Sequence, residues 1–332
     1  MPDPRFDIIG IGNAIVDVVA PAEDRFLSKH SMRKGSMNLV DAAAAENLYR
    51  QMPSGQESSG GSVANSCAVA SGLGAKVAYL GKVADDTLGA AFRRDIEKAG
   101  VYFPSTPLVG GAPTARCLIL VTPDAERTMT VYLGACVAFG VADVDAALIA
   151  DSAVTYLEGY LFDPPSAQAA FRLAASVARK AGRKVALSLS DPFCVDRHRP
   201  AFREFVAGSV DILFANESEI CSLYEENDFA QAAERAAQDT ELSVLTRSGD
   251  GSVVRLKDKT IVIAAEPTQV VDTTGAGDAY AAGFLAALTA GRPLDVCGRL
   301  GSLAAAEVIS HFGARPIADL RAMAANSGIA PL

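Results

Sequence analysis

The chain has 332 residues, half of them hydrophobic, with a formal net charge of −9. Such a composition buries a large core in one or two domains, and an acidic balance with no basic stripe excludes a nucleic-acid binder. The six cysteines, at 67, 117, 136, 194, 221 and 297, are far apart and contain no C-x-x-C pair, which excludes a zinc site and reads as reduced, mostly buried thiols.

Asp3, Arg5 and Asp7 interrupt the N-terminus before any apolar run, and no stretch reaches the ~20 apolar residues of a membrane helix. A cytoplasmic protein without membrane partners is expected. Residues 6–12, FDIIGIG, read as a buried strand feeding a tight turn. Gly10 and Gly12 give G-x-G, but Ile15 replaces the third glycine of a dinucleotide fingerprint. Alternation places Asn13 and Asp17 on one face of a following strand, suited to a ligand with several hydroxyls or to solvent.

Residues 41–52 are helical in pattern, and 53–60 form a polar, Gly/Ser-rich connector that reads as mobile. Gly60, Gly61 and Ser62 lead into a small-residue helix with Asn65 near its start, either a gathering of polar atoms at a helix N-terminus or a plain helix capped by Ser62. A strand at 76–82 and a helix at 87–99 continue the rhythm. It breaks between 101 and 140, where 116–122 and 127–133 read as two strands joined by a turn at 123–126. Together with the segment after Asp17, they are expected to form a small sheet standing off the body as a lid, built from parts of about 14–40 and 101–140.

Strands at 153–158, 185–190, 210–215 and 242–246 then alternate with helices, which implies a parallel, helix-covered sheet of the α/β class. Ligands on such sheets sit at the carboxyl ends of the strands. Asn13, Tyr160, Asp191, Asn216, Glu219 and the turn 247–251 therefore become candidates. Asn216 and Glu219 form either a capping box or a hold for hydrated Mg²⁺. The turn after Thr246 suits either a nucleotide or an ordinary hairpin.

Residues 272–285, DTTGAGDAYAAGFL, run from a glycine turn into an apolar helix with Asp278 at the junction. The first turn of a helix has unpartnered N–H groups and partial positive charge, so Gly275, Ala276 and Gly277 can cradle phosphate oxygens. A carboxylate beside that cradle points to phosphoryl transfer onto an acceptor hydroxyl; caps and turns are the plainer reading.

GGSVANS, NESE, TRSGDG and DTTGAGDAYAAGFL, in this order and spacing, resemble the ribokinase-like (PfkB) kinases, and GNAIVD, YLEGYLFD, SLSDPF and VDILFANESE are most similar to the pattern of adenosine kinases within them. The resemblance implies a doubly wound sheet with a small β lid, ATP and Mg²⁺ as phosphoryl donor, and a primary ribose hydroxyl as acceptor. It implies Asp278 as general base and Gly275, Ala276 and Gly277 as anion hole. Asn13, Asp17, Gly61, Ser62 and Asn65 would hold ribose hydroxyls. Asn216 and Glu219 would organise Mg²⁺ and phosphates, while Thr246, Ser248 and Gly251 would meet the nucleotide.

Arg127 falls where family members place an arginine that neutralises transferring charge. Ile15, Cys117, Leu133, Tyr160 and Phe193 would sandwich a purine. Ser248 departs from the glycine common in the family. Asp272 and Thr274 resemble positions that bind a monovalent cation in some members, although a structural turn explains them too. His30, His198 and His311 fit no catalytic spacing, and no P-loop is present. A free sugar such as ribose or fructose is the alternative acceptor, and a non-catalytic nucleoside or sugar binder the alternative class. Monomer and homodimer remain equally compatible.

Overall fold

A continuous apolar run such as Ile212 to Ala215 has no polar face to turn to water, so the strand it forms needs cover on both sides. The computed structural model describes residues 3–124, 126–257 and 259–330. Its strands are β1 (Phe6–Ile11), β2 (Ile15–Pro21), β3 (Met37–Leu39), β4 (Gln56–Gly60), β5 (Val77–Leu80), β6 (Ala115–Val121), β7 (Arg127–Tyr132), β8 (Ser152–Glu158), β9 (Lys184–Ser188), β10 (Ile212–Asn216), β11 (Leu242–Thr246), β12 (Ser252–Leu256) and β13 (Lys259–Ile263).

The larger sheet runs β13-β12-β11-β10-β9-β8-β1-β5. It is parallel from β11 to β5. The edge differs from the purely parallel sheet expected, because β12 and β13 pair antiparallel. The link from β11 to β12 is a short turn, too brief for a crossover helix. Alternate residues of each inner strand feed different apolar layers. Phe214 and Val244 pack with Tyr280 and Phe284 on one side, while Leu213 and Leu245 pack with Phe171 and Phe205 on the other. Helices on both faces make the domain doubly wound.

The smaller sheet runs β3-β7-β6-β2-β4. The connector expected at 53–60 is partly wrong: residues 56–60 are β4, antiparallel to β2. Ser and Gly have little strand preference, but β2 offers their backbone groups partners and the pairing decides. The β6–β7 pair is antiparallel, as its pattern implied; Ala125 of the expected turn lies outside the described residues. Val16, Val18, Leu118 and Leu120 turn one face of this sheet into the main core. The opposite face carries Ile15, Val19, Cys117, Ile119, Val131 and Leu133 as an apolar cluster. Alternation places Asp17 and Arg127 on that same face, Asp17 directly beside Cys117.

All six cysteines are free thiols, and only Cys221 is not buried. Among the described residues no helix is long and apolar enough to cross a membrane.

Candidate active site

Two helix N-termini meet at one carboxylate. The helix Ser62–Leu73 starts after Gly61, whose φ of +101° only glycine adopts without strain. A side chain there would also strike the Asn13 carbonyl oxygen, 2.0 Å from an added Cβ. The expected Ser62 cap is not formed. Gly61 is the cap residue, and the Ser62 hydroxyl instead donates to Asp278 Oδ1 at 2.6 Å. Ser66 Oγ donates to the Asp278 carbonyl at 2.9 Å, fixing the two helices against each other.

Asp278 lies in the first turn of the helix Ala276–Thr289, which Gly275 opens in a left-handed conformation. The first intrahelical bond runs from the Ala279 N–H to the Gly275 carbonyl at 2.8 Å. The N–H groups of Gly277 and Asp278 thus precede any helical acceptor. The Ala276 N–H is different from expectation, since it donates to the Thr273 carbonyl at 3.2 Å. Of the amides expected to cradle phosphate oxygens, that of Ala276 is thus already engaged in the turn.

Asn13 also departs from its expected place. It sits between β1 and β2, outside either strand, because its amide is drawn inward to Glu158 Oε1 at 2.7 Å. Asp17 alone faces out from β2. Asn65 is buried one turn beyond Ser62, as the capped-helix pattern allowed. At the other end of the site, Asn216 and Glu219 form a complete capping box, with Asn216 Nδ2 also donating to Glu219 Oε1 at 2.7 Å. Register places Asn216 beside Thr246, and so joins the NESE and TRSGDG segments. Ser248 takes φ +49°, a left-handed position that accounts for glycine being common there.

Burial pushes the site's carboxyls upward. Asp278 reaches about 6, with the Ser62 and Asn65 side chains pulling back down. Asp17 also reaches about 6, lowered by the nearby Arg315 and Arg127 guanidinium groups and raised again by Asp278. Glu158 and Glu219 reach about 7, each held back by hydrogen-bond donors. Arg127 bridges to Asp272 Oδ2 at 2.8 Å, with both side chains nearly buried. Asp272 additionally accepts from Thr274 and from the Gly313 N–H, the closed turn that was one of the two readings of this segment.

A model of the pfkB family carbohydrate kinases matches residues 31–320. The chain belongs to that family. It is 49% identical to an adenosine kinase from Sinorhizobium meliloti whose crystal structure superposes with a TM-score of 0.89 over 97% of this chain and 99% of that one. A probable sugar kinase from Rhizobium etli CFN 42 is 45% identical, with a TM-score of 0.91 over 98% and 100% of the respective chains. Adenosine kinase 1 of Arabidopsis thaliana is 29% identical across 94% of this chain and 97% of its own.

As a PfkB kinase the protein is a phosphotransferase on the ribokinase-like fold, in agreement with its motifs. The fold brings Ser62, Asn65 and Asp17 together around Asp278, and the small sheet gathers Ile15, Cys117 and Leu133. Tyr160 and Phe193 stand apart from that cluster, at the carboxyl ends of the body's strands, 40% and 73% exposed. Two groups escaped the sequence reading. Glu158, buried at the end of β8, ties Asn13 to the Val63 N–H; a lone carboxylate ending an apolar strand was its only signal. Arg315, in the loop before the last helix, reaches Asn65, Asp95 and Ser59 across more than 200 positions of sequence. No periodicity marks such a residue.

Proposed function

We propose that this PfkB kinase transfers the γ-phosphoryl group of ATP to the 5′-hydroxyl of adenosine, with Asp278 as general base. The observation that carries the reading is the position of Asp278: it accepts from Ser62 at the junction of two helix N-termini. Asp278 takes the hydroxyl proton as the phosphorus–oxygen bond forms. The Gly277 and Asp278 amides and the positive helix end hold the transferring charge, and Arg127 adds a cation from the small sheet. Asp17, Asn65, Gly61 and Ser62 hold the ribose hydroxyls, and Asn13 supports them through Glu158. Thr246, Ser248 and Gly251 form the nucleotide side. Closure of the small sheet as a lid excludes water and limits ATP hydrolysis.

Asn216 and Glu219 fit a hydrated Mg²⁺. Glu219 is a buried carboxylate that its own cap holds back only in part, and a cation nearby would offset the remainder. Mg²⁺, when bound, neutralises phosphate charge. Asp272, one of the two positions considered for a monovalent cation, is engaged by Arg127, Thr274 and Gly313. Six free thiols fit a cytoplasmic setting.

The apolar face carrying Ile15, Cys117 and Leu133 favours a flat base over a free sugar, which needs more hydroxyl partners. A coupled assay with Mg-ATP across nucleosides and sugars tests the proposal. Adenosine turnover above that of ribose and fructose supports it. Preference for a free sugar replaces the acceptor, and transfer to none of them leaves a binding protein on this fold.

A further inference from the structure

Arg315 lies outside the motifs quoted above and outside the groups assigned to the chemistry. Each of its three guanidinium nitrogens is used. Nε donates to Asn65 Oδ1 at 3.1 Å, Nη1 to Asp95 Oδ2 at 3.1 Å, and Nη2 to Ser59 Oγ at 2.7 Å. Asp95 completes the cluster by accepting from the Ser59 N–H at 2.8 Å and its hydroxyl at 2.6 Å. Three separate elements thus converge on one side chain: β4, the helix Thr87–Lys98 that carries Asp95, and the helix Ser62–Leu73.

The placement has two physical effects. An amide held at its oxygen by a cation cannot flip, so the NH₂ side of Asn65 is left for Asp278. Ser59 immediately precedes Gly60 and Gly61, so pinning it fixes the chain where it crosses from the small sheet into the helix bearing Ser62 and Asn65.

We propose that Arg315 is a positioning residue for phosphoryl transfer: it fixes the Asn65 amide toward Asp278 and locks the β4 end of the small sheet in the geometry that receives the acceptor. The inference rests on the kinase reading of Asp278. The charged and titratable groups facing Asp278 are Asp17 from β2, Tyr156 and Glu158 from β8, Tyr160 just beyond it, and Glu219 after β10. Arg315 and Arg127 face Asp17. Loss of the Arg315 charge and release of the Asn65 amide both remove stabilisation of the ionised carboxylates.

The test compares the full-length parent with Arg315→Lys and with the double variant Arg315→Met/Asp95→Asn, which avoids leaving Asp95 as an unpaired charge. Lysine keeps a cation for Asp95 but is a single point donor that cannot span three partners. Both variants are expected to raise acceptor KM by about tenfold or more and to move the acid limb of kcat upward by about half a pH unit. Arg315→Lys is expected to keep a melting temperature near the parent's. Acceptor affinity by titration calorimetry reads the same effect without turnover. Parent-like KM, affinity and acid limb in both variants, whatever happens to their melting temperatures, overturn the proposal. A parent that phosphorylates no acceptor defeats the kinase reading instead, so the two failures are distinguishable.

Discussion

Arg127, the first residue of β7, and Asp272, six residues before Asp278, meet at 2.8 Å and tie the small sheet to the loop that opens the Ala276–Thr289 helix. Phe312 lies under the same guanidinium, 5.3 Å from its ring centre. If Arg127 is the cation proposed for the transferring charge, it must exchange Asp272 for the phosphoryl group in turnover. Arg127→Met is expected to lower kcat by ~10² or more with a much smaller change in acceptor affinity. Steady-state kinetics with calorimetric binding checks this, and an unchanged kcat removes Arg127 from the chemistry.

Asp278→Asn keeps the shape and the contact with Ser62 but cannot take a proton. Its kcat is expected to fall by at least ~10² while substrate binding is largely kept. Near-normal turnover in this variant would end the general-base assignment.

The pH dependence of rate and of stability run in opposite senses. As the proposed base Asp278 would act only when ionised, so kcat is expected to fall as pH drops through about 6 in a pH–rate profile. For stability, the raised carboxyls of Asp17, Asp278, Glu158 and Glu219 bind protons more tightly in the folded protein than in the unfolded chain. Their contribution is full below about pH 4 and is lost as pH rises through about 6 to 7. Glu158→Gln is neutral at every pH and resembles the protonated acid. Between pH 5 and pH 8 its stability is expected to gain on the parent by roughly 1–3 kcal/mol, measured by urea unfolding. Parallel curves for the two proteins would contradict a raised Glu158.

Gly61→Ala places a methyl group against the Asn13 carbonyl at a positive φ. A loss of roughly 2–4 kcal/mol in stability is expected, together with weaker acceptor binding, because the start of the Ser62–Leu73 helix must move. Thermal melts and calorimetry read both, and a parent-like value in each would show that the crossing relaxes freely.

Ile15→Ser removes apolar surface from the proposed base-facing wall. An increase of about 5- to 20-fold in adenosine KM is expected, with the KM for ATP unchanged. Equal effects on both substrates would place Ile15 in general packing.

Much of this was legible in the sequence, for physical reasons that differ by element. The β10 and β11 runs are apolar on both faces, which only a covered parallel sheet accommodates, and Asp278 follows a glycine turn whose local geometry is self-contained. Local chemistry also announced the Asn216–Glu219 cap. What failed was non-local. β4 owes its conformation to a partner strand some 40 positions away. Asn13 owes its orientation to a carboxylate 145 positions later, and Arg315 owes its meaning to Asn65, 250 positions earlier. The Ala276 amide was lost to a carbonyl three residues back, a choice between turn and helix that spacing does not resolve.

Asp17 leans across the bare backbone of Gly60, where an added Cβ would lie 2.3 Å from its carboxylate oxygen. Variation is therefore closed at this point of the small sheet, since any larger residue at 60 evicts the acid beside it. The wall made by Ile15, Cys117 and Leu133 consists of ordinary side chains that mutation can exchange one at a time. Laboratory evolution of this scaffold has its freedom on that wall, with the Gly60–Asp17 packing inherited intact.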